Sequence, residues 1–170
     1  GSFERRKGIP DLLAAWPLVE AAHEGHGRYR LKILGKGPLE KSIADFVAQQ
    51  SRCELVLDPS RPVIHYALAS AEVLVLLSQP APFWREQIGL PLLEGLSHGC
   101  KIVTTDETGI AAWLEENGHV VVRAGSEPWR VADGILQAMA SSLIPQQILA
   151  TLPAEDTRLA ASKWLYARSV

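Results

Sequence analysis

Short runs of branched apolar residues alternate along the chain with segments whose apolar residues recur every three or four positions, and Gly, Pro and Asp mark the joints. This alternation restricts the chain to an α/β fold, because period-two runs belong to strands and period-3.6 runs to helices that must cover them. Strands are expected at 29–34, where Tyr29, Leu31 and Ile33 alternate against Arg30 and Lys32, and at 55–57, 72–77, 101–105 and 119–122. Helices are expected at 10–22, with Leu12, Leu13, Trp16, Leu18 and Val19 forming an apolar stripe despite Pro17, and at 39–50, 62–70, 90–98 and 108–117. From Glu127 onward the pattern is helical, interrupted at Pro145 and Pro153. Strands joined by single short helices imply a Rossmann-like parallel sheet with right-handed crossovers and helices on both faces.

The 170 residues fit one domain, read as an α/β core over about 1–125 and a helical part over about 126–170, with no internal repeat and no linker. An apolar fraction of 47% excludes disorder, and 17 basic against 19 acidic residues argue against a general nucleic-acid or anionic-membrane binder. No apolar run approaches the roughly 18 residues that span a bilayer. Cys53 and Cys100 stand far apart, unlike a metal ribbon or a redox pair, and read as free, buried thiols. The expected setting is cytoplasmic and reducing. The chain begins Gly1-Ser2-Phe3 without an initiator Met, which reads as a scar, a processed end or a cut through a larger protein.

In parallel sheets ligands sit beyond the carboxyl ends of the strands, so the loops leaving each strand carry the candidates. Arg5-Arg6-Lys7-Gly8 precedes the first helix, where cations beside a helix amino terminus would suit a phosphate; taken alone, it is an ordinary solvated loop. Gly35-Lys36-Gly37-Pro38 follows a strand and would let a ligand approach the backbone. Glu40 stands where a dinucleotide fingerprint needs a third Gly, and no Gly-Lys-Ser/Thr loop is present, which weakens NAD and ATP-hydrolysis readings. The third stretch runs from Glu86 through Gly89 and Pro91 to Glu94. Its Gly and Pro suit a tight helix start, and its two carboxylates flank the N–H groups there: acceptors for ligand hydroxyls around donors for a phosphate. A nucleotide sugar has that distribution, although on these two residues alone the plainer reading is that Glu94 complements the helix dipole and Glu86 is solvated.

Glu86 and Glu94, with seven residues between them and Gly89 near their centre, resemble the signature of retaining GT-B glycosyltransferases, especially glycosyltransferase family 4. The segments 1–8, 33–39, 66–73, 95–105 and 108–110 resemble further motifs of that family, in family order. The resemblance implies a carboxyl-terminal half that binds the nucleotide-sugar donor, with an amino-terminal acceptor domain absent from this chain. It implies that Lys7 contacts the donor diphosphate, Glu86 meets the donor sugar and Glu94 binds the ribose hydroxyls. Backbone groups at Ile88, Gly89 and Leu90, with Gly37 and Arg6, are expected to complete the cradle. Ser2 stands where many relatives carry Arg, with either Arg5 or Arg6 as the substitute or Ser2 itself part of a scar, and Thr108 replaces a commonly found Gly. No metal is expected, helix termini and basic residues carrying the charge instead, and the chain has no Asp-x-Asp pair. The implied partners are a nucleotide sugar, the missing amino-terminal domain and a saccharide or lipid-linked acceptor, with peripheral membrane association through that domain. Remaining alternatives are a non-catalytic nucleotide-binding module, or another GT-B-like enzyme such as an epimerase or phosphorylase. His65 and His98 read as structural or partly exposed, Phe83-Trp84 as a sugar stack or loop packing, and Asp58 as a contact to the base.

Overall fold

A computed structural model describes residues 1–22 and 29–154. After a 3-10 turn at Arg5–Lys7 the elements alternate: α1 (Ile9–Ala22), β1 (Leu31–Gly35), α2 (Glu40–Val47), β2 (Cys53–Leu57), α3 (Arg61–Ala69) and β3 (Val73–Leu76). There follow α4 (Leu90–Ser97), β4 (Lys101–Thr105), α5 (Ala111–Glu116), β5 (Val120–Val122), α6 (Pro128–Ala140) and α7 (Pro145–Ala150). All strand pairings are parallel: β1 with β2 in one sheet, and β3-β4-β5 in the other, with β4 central. The expected α/β class and the helices on both faces are borne out.

Strand alternation explains why both faces are covered. Val73, Val75, Val103, Val120 and Val122 turn toward a core that also holds Trp16 and Val19 of α1 and Val131 and Ile135 of α6. Leu74, Leu76, Ile102 and Val121 turn the other way, onto Leu92 and Leu96 of α4, Leu114 of α5 and Ile148 of α7. Successive side chains of a strand point to opposite faces, so a sheet sandwiched between helices needs apolar residues at every position. β4 is accordingly buried throughout.

The differences from the sequence reading have local causes. In α1 the buried stripe is Leu12, Ala15, Trp16 and Val19, and Leu18 is exposed, because it falls with Ala14 and Pro17 on the outer side. α5 starts at Ala111 rather than Thr108. Thr108 is buried with its hydroxyl 2.9 Å from that of Thr104, and Gly109 donates its N–H to the Glu86 carbonyl at 2.9 Å, so those residues form a turn against the neighbouring loop. Gly99 ends α4 as expected, with φ 75° and its N–H on the Leu96 carbonyl. Cys100 is buried and Cys53 half-buried, and desolvation pushes both thiols up to about 11. The expected helical tail beyond residue 154 lies outside the described residues. Among the described residues, no helix is long and apolar enough to cross a membrane.

Candidate functional site

The two sheets meet through the first residues of the chain. Ser2 bridges in parallel to Lys36 just after β1, Phe3 donates its N–H to the Lys36 carbonyl, and the Arg6 carbonyl accepts the N–H of Gln79 beyond β3. With residues 1–7 counted, neighbours run β2, β1, this segment, β3, β4, β5. The chain thus moves outward through β1 and β2, then returns to the other side at β3. That reversal is the switch point at which parallel sheets open a crevice beyond their carboxyl ends.

Gly8 sets the near wall of the crevice. Its φ is 69°, and a Cβ there would lie 1.9 Å from the Leu77 carbonyl oxygen, so only glycine lets the 3-10 turn pack against the end of β3. Lys7 is thereby carried over the loop after β3, where its Nζ donates to Glu86 Oε2. The pair is largely shielded, with side-chain exposures of 17% for Lys7 and 12% for Glu86. Ser78, fully buried, donates its hydroxyl to the same Glu86 oxygen at 3.3 Å, while its carbonyl accepts the Thr105 hydroxyl at 2.5 Å. The Thr105 hydroxyl of β4 thus holds the Ser78 backbone, and the Ser78 hydroxyl helps fix where Glu86 stands.

Trp84 forms the floor beside this pair. The Arg6 guanidinium lies 4.2 Å from its ring centre and Lys7 Nζ 4.8 Å. Arg6 is also forked onto Glu4 at 2.7 and 3.1 Å. Removing either member of the Lys7–Glu86 pair leaves a shielded charge unpaired, so Lys7→Met and Glu86→Gln are each expected to lower stability by about 1–3 kcal/mol. The double variant should lose less than the sum of the two. Urea unfolding of the four chains measures this, and strict additivity would contradict the coupling.

The far wall is the start of α4. Gly89 is buried with φ 74° and ψ 74°, and Pro91 occupies the first turn, where its missing N–H leaves no bond unmade. Among the described residues, the N–H groups of Ile88, Gly89 and Leu90 donate to no acceptor. They sit at the partially positive end of the helix, beside an open hollow of about 430 Å³ lined by residues 83–90. Ile88 and Leu90 turn exposed side chains outward, and Phe83 is fully exposed with φ 59°.

Glu94 stands one turn into α4. Its Oε1 accepts from Arg61 Nη1 at 2.8 Å, at the start of α3. The helix sits close on the sheet because Gly95 faces Leu74 and Ile102, and any Cβ there would stand 3.2–3.3 Å from them. The Gly1 amino group has its pKa lowered, by burial first, with Glu94 raising it and Lys7 lowering it, so both charges act on the same part of the crevice. Gly37 packs against the Phe3 backbone, where a Cβ would meet the Phe3 nitrogen at 2.9 Å, and its N–H donates to Glu40.

Of the expected residues, the structure brings Lys7, Glu86 and Arg6 into direct company and places Ile88, Gly89 and Leu90 beside them. Glu94 is engaged by Arg61, and Gly37 supports the segment that carries Lys7. Asp58, with φ 42°, is paired with Lys36 at 2.8 Å. Sequence reasoning did not name Ser78; its place directly after a buried strand, at the ligand edge, was the available signal. Among the described residues, no group of three or more His, Cys, Asp and Glu gathers to hold a metal ion.

The family model of the glycosyl transferases group 1 matches residues 1–141. The chain belongs to this family. This glycosyltransferase domain is 32% identical over 114 residues to a glycogen synthase of Mycobacterium tuberculosis, a match that covers 65% of the chain and 25% of that protein. In structure it resembles an α,α-trehalose-phosphate synthase (UDP-forming) from Burkholderia vietnamiensis, with TM-score 0.75 and 15% identity over 100% of this chain and 44% of that one. It also resembles the C-terminal domain of a glycosyl transferase group 1 family protein from Francisella tularensis, with TM-score 0.69 and 18% identity over 88% and 80% of the two chains. The fold is thus one half of a GT-B glycosyltransferase, family 4-like. The match spans a quarter of the glycogen synthase and under half of the trehalose-phosphate synthase.

Proposed function

We propose that this domain holds the nucleotide-diphosphate sugar of a retaining glycosyltransferase, and that an amino-terminal domain supplies the acceptor and closes the crevice. The observation that carries this reading is the convergence of the shielded Lys7–Glu86 pair with the unpaired N–H groups at the start of α4. A diphosphate placed there would meet the Lys7 cation and the helix end together, and the sugar would lie against Glu86. The name of the UDP-forming synthase that shares the fold agrees with such a donor.

In the transfer, the bond from the anomeric carbon to the diphosphate oxygen breaks and its electron pair leaves with the nucleoside diphosphate. The acceptor oxygen bonds to that carbon on the same face, and its proton leaves with the diphosphate. Lys7, Arg6 and the α4 N–H groups stabilise the charge that grows on the leaving group, where fixed donors act most strongly. Glu86 orients the sugar hydroxyls, and no enzyme nucleophile is assigned. Glu94 binds the ribose, with Oε2 available while Oε1 holds Arg61.

A donor screen on the full-length protein, with product anomers read by NMR, tests the reading. One nucleotide sugar should be consumed with retained configuration, and the 170-residue chain alone should bind UDP or GDP without turnover. An inverted product, or robust transfer by the isolated chain, would overturn it. The cytoplasmic placement, with peripheral contact to the membrane through the other domain, is part of the same proposal.

A further inference from the structure

We propose that the Lys7–Glu86 pair is a self-occupying contact that weakens the hold of the crevice on a nucleoside diphosphate carrying no sugar, and so favours release of the spent carrier. The inference rests on the donor site proposed above and gives its carboxylate a second role. Both cations assigned there to the diphosphate are already engaged by carboxylates of this chain. Lys7 Nζ donates to Glu86 Oε2, and the Arg6 guanidinium is forked onto Glu4 at 2.7 and 3.1 Å. The charges of the two pairs cancel. The N–H groups of Ile88, Gly89 and Leu90 are left as the uncommitted donors at the start of α4. A bare diphosphate therefore meets a site whose positive charge is spoken for.

The Lys7–Glu86 contact is not a loose surface bridge. Its side chains are 17% and 12% exposed, the Trp84 ring centre lies 4.8 Å from Lys7 Nζ, and the buried Ser78 hydroxyl reaches the same Oε2 at 3.3 Å. Solvated pairs contribute little, whereas breaking a shielded one leaves a charge that water cannot fully compensate. A diphosphate must draw the ammonium away from Glu86 and leave that carboxylate shielded beside a second anion. A donor that carries its sugar brings hydroxyl groups, which donate to Glu86 as Lys7 turns to the diphosphate. Oε1 takes no donor among the described residues, so both carboxylate oxygens then serve the sugar. After transfer those hydroxyls depart with the sugar. Glu86 and the diphosphate are left competing for one ammonium, and re-formation of the pair displaces the product. No proton moves and no covalent bond changes in this exchange. Product release limits turnover in many enzymes, so such a contact bears on rate as well as affinity.

The test is a calorimetric titration of the 170-residue chain and its variants with inorganic pyrophosphate, UDP and GDP. Glu86→Gln keeps the shape of the side chain without its charge, and it should bind these anions about tenfold more tightly although the chain itself is less stable. In a Lys7→Met background the same change should give less than about twofold, because the pair is already broken. Thermal unfolding supplies a second readout: saturating pyrophosphate should raise the midpoint more in Glu86→Gln than in the unaltered chain, since tighter binding to the folded state stabilises it more. Equal or weaker binding by Glu86→Gln, or the same gain without Lys7, would overturn the proposal and leave the donor site standing. Binding of none of the three probes by either chain would overturn the donor site and the proposal with it.

Discussion

Replacing Gly8 by alanine is expected to lower the thermal midpoint by about 6–12 °C. A left-handed conformation costs a non-glycine residue on the order of 1 kcal/mol. The added Cβ would also lie 1.9 Å from the Leu77 carbonyl oxygen, a backbone atom that cannot step aside as a flexible side chain would. The sum is on the order of 3 kcal/mol or more, and each kcal/mol moves the midpoint of a domain this size by about 2–4 °C. Gly125 supplies the control. Its φ is 70°, nearly that of Gly8, but nothing lies within 4 Å of its ideal Cβ, so Gly125→Ala should show the conformational cost alone, about 2–4 °C. Equal shifts in the two variants would mean that the contact with Leu77 is not what fixes the turn. In the Gly8 variant that still folds, Lys7 moves off Glu86, and binding of a nucleoside diphosphate should fall with it.

Glu94→Ala is expected to weaken UDP or GDP binding by about tenfold or more, since hydrogen bonds to a charged group contribute about 1.5–3 kcal/mol. Isothermal titration of the 170-residue chain reads this directly. Stability should change little, because the Glu94–Arg61 bridge is partly solvated, with side-chain exposures of 32% and 62%. Arg61→Ala separates the two roles of the carboxylate. It removes the bridge but leaves Glu94, and affinity should hold or rise as Oε1 is released. Unchanged affinity in Glu94→Ala would sink the ribose role and leave the fold assignment untouched.

The alternation of apolar periods made the layer order legible, since the same Val and Leu residues that mark β3 and β5 as buried strands also assign them to two helical layers. The glutamate pair and the basic turn were legible because residue type and spacing alone carry them. What the sequence could not show was who holds whom. Arg6, expected to contact the donor, is bound to Glu4 and laid on Trp84, and the Arg61 partner of Glu94 comes from another helix 33 residues away. For Ser78 the sequence offered only its place after a buried strand, and its partner is set by the fold, which alone makes it the donor to Glu86. Leu18 is exposed although it was expected in the stripe, because helical periodicity gives the width of a stripe poorly, and Ala15 lies on the buried side instead.

The junction of the two sheets has a mechanical consequence. Lys7 belongs to the segment that extends the β1 side, whereas Glu86 and the α4 N–H groups belong to the β3 side. A dianionic ligand lodged between them would add a rivet to a joint already held by the Lys7–Glu86 pair and the shared apolar core, so filling the crevice should raise the force needed to part the two blocks.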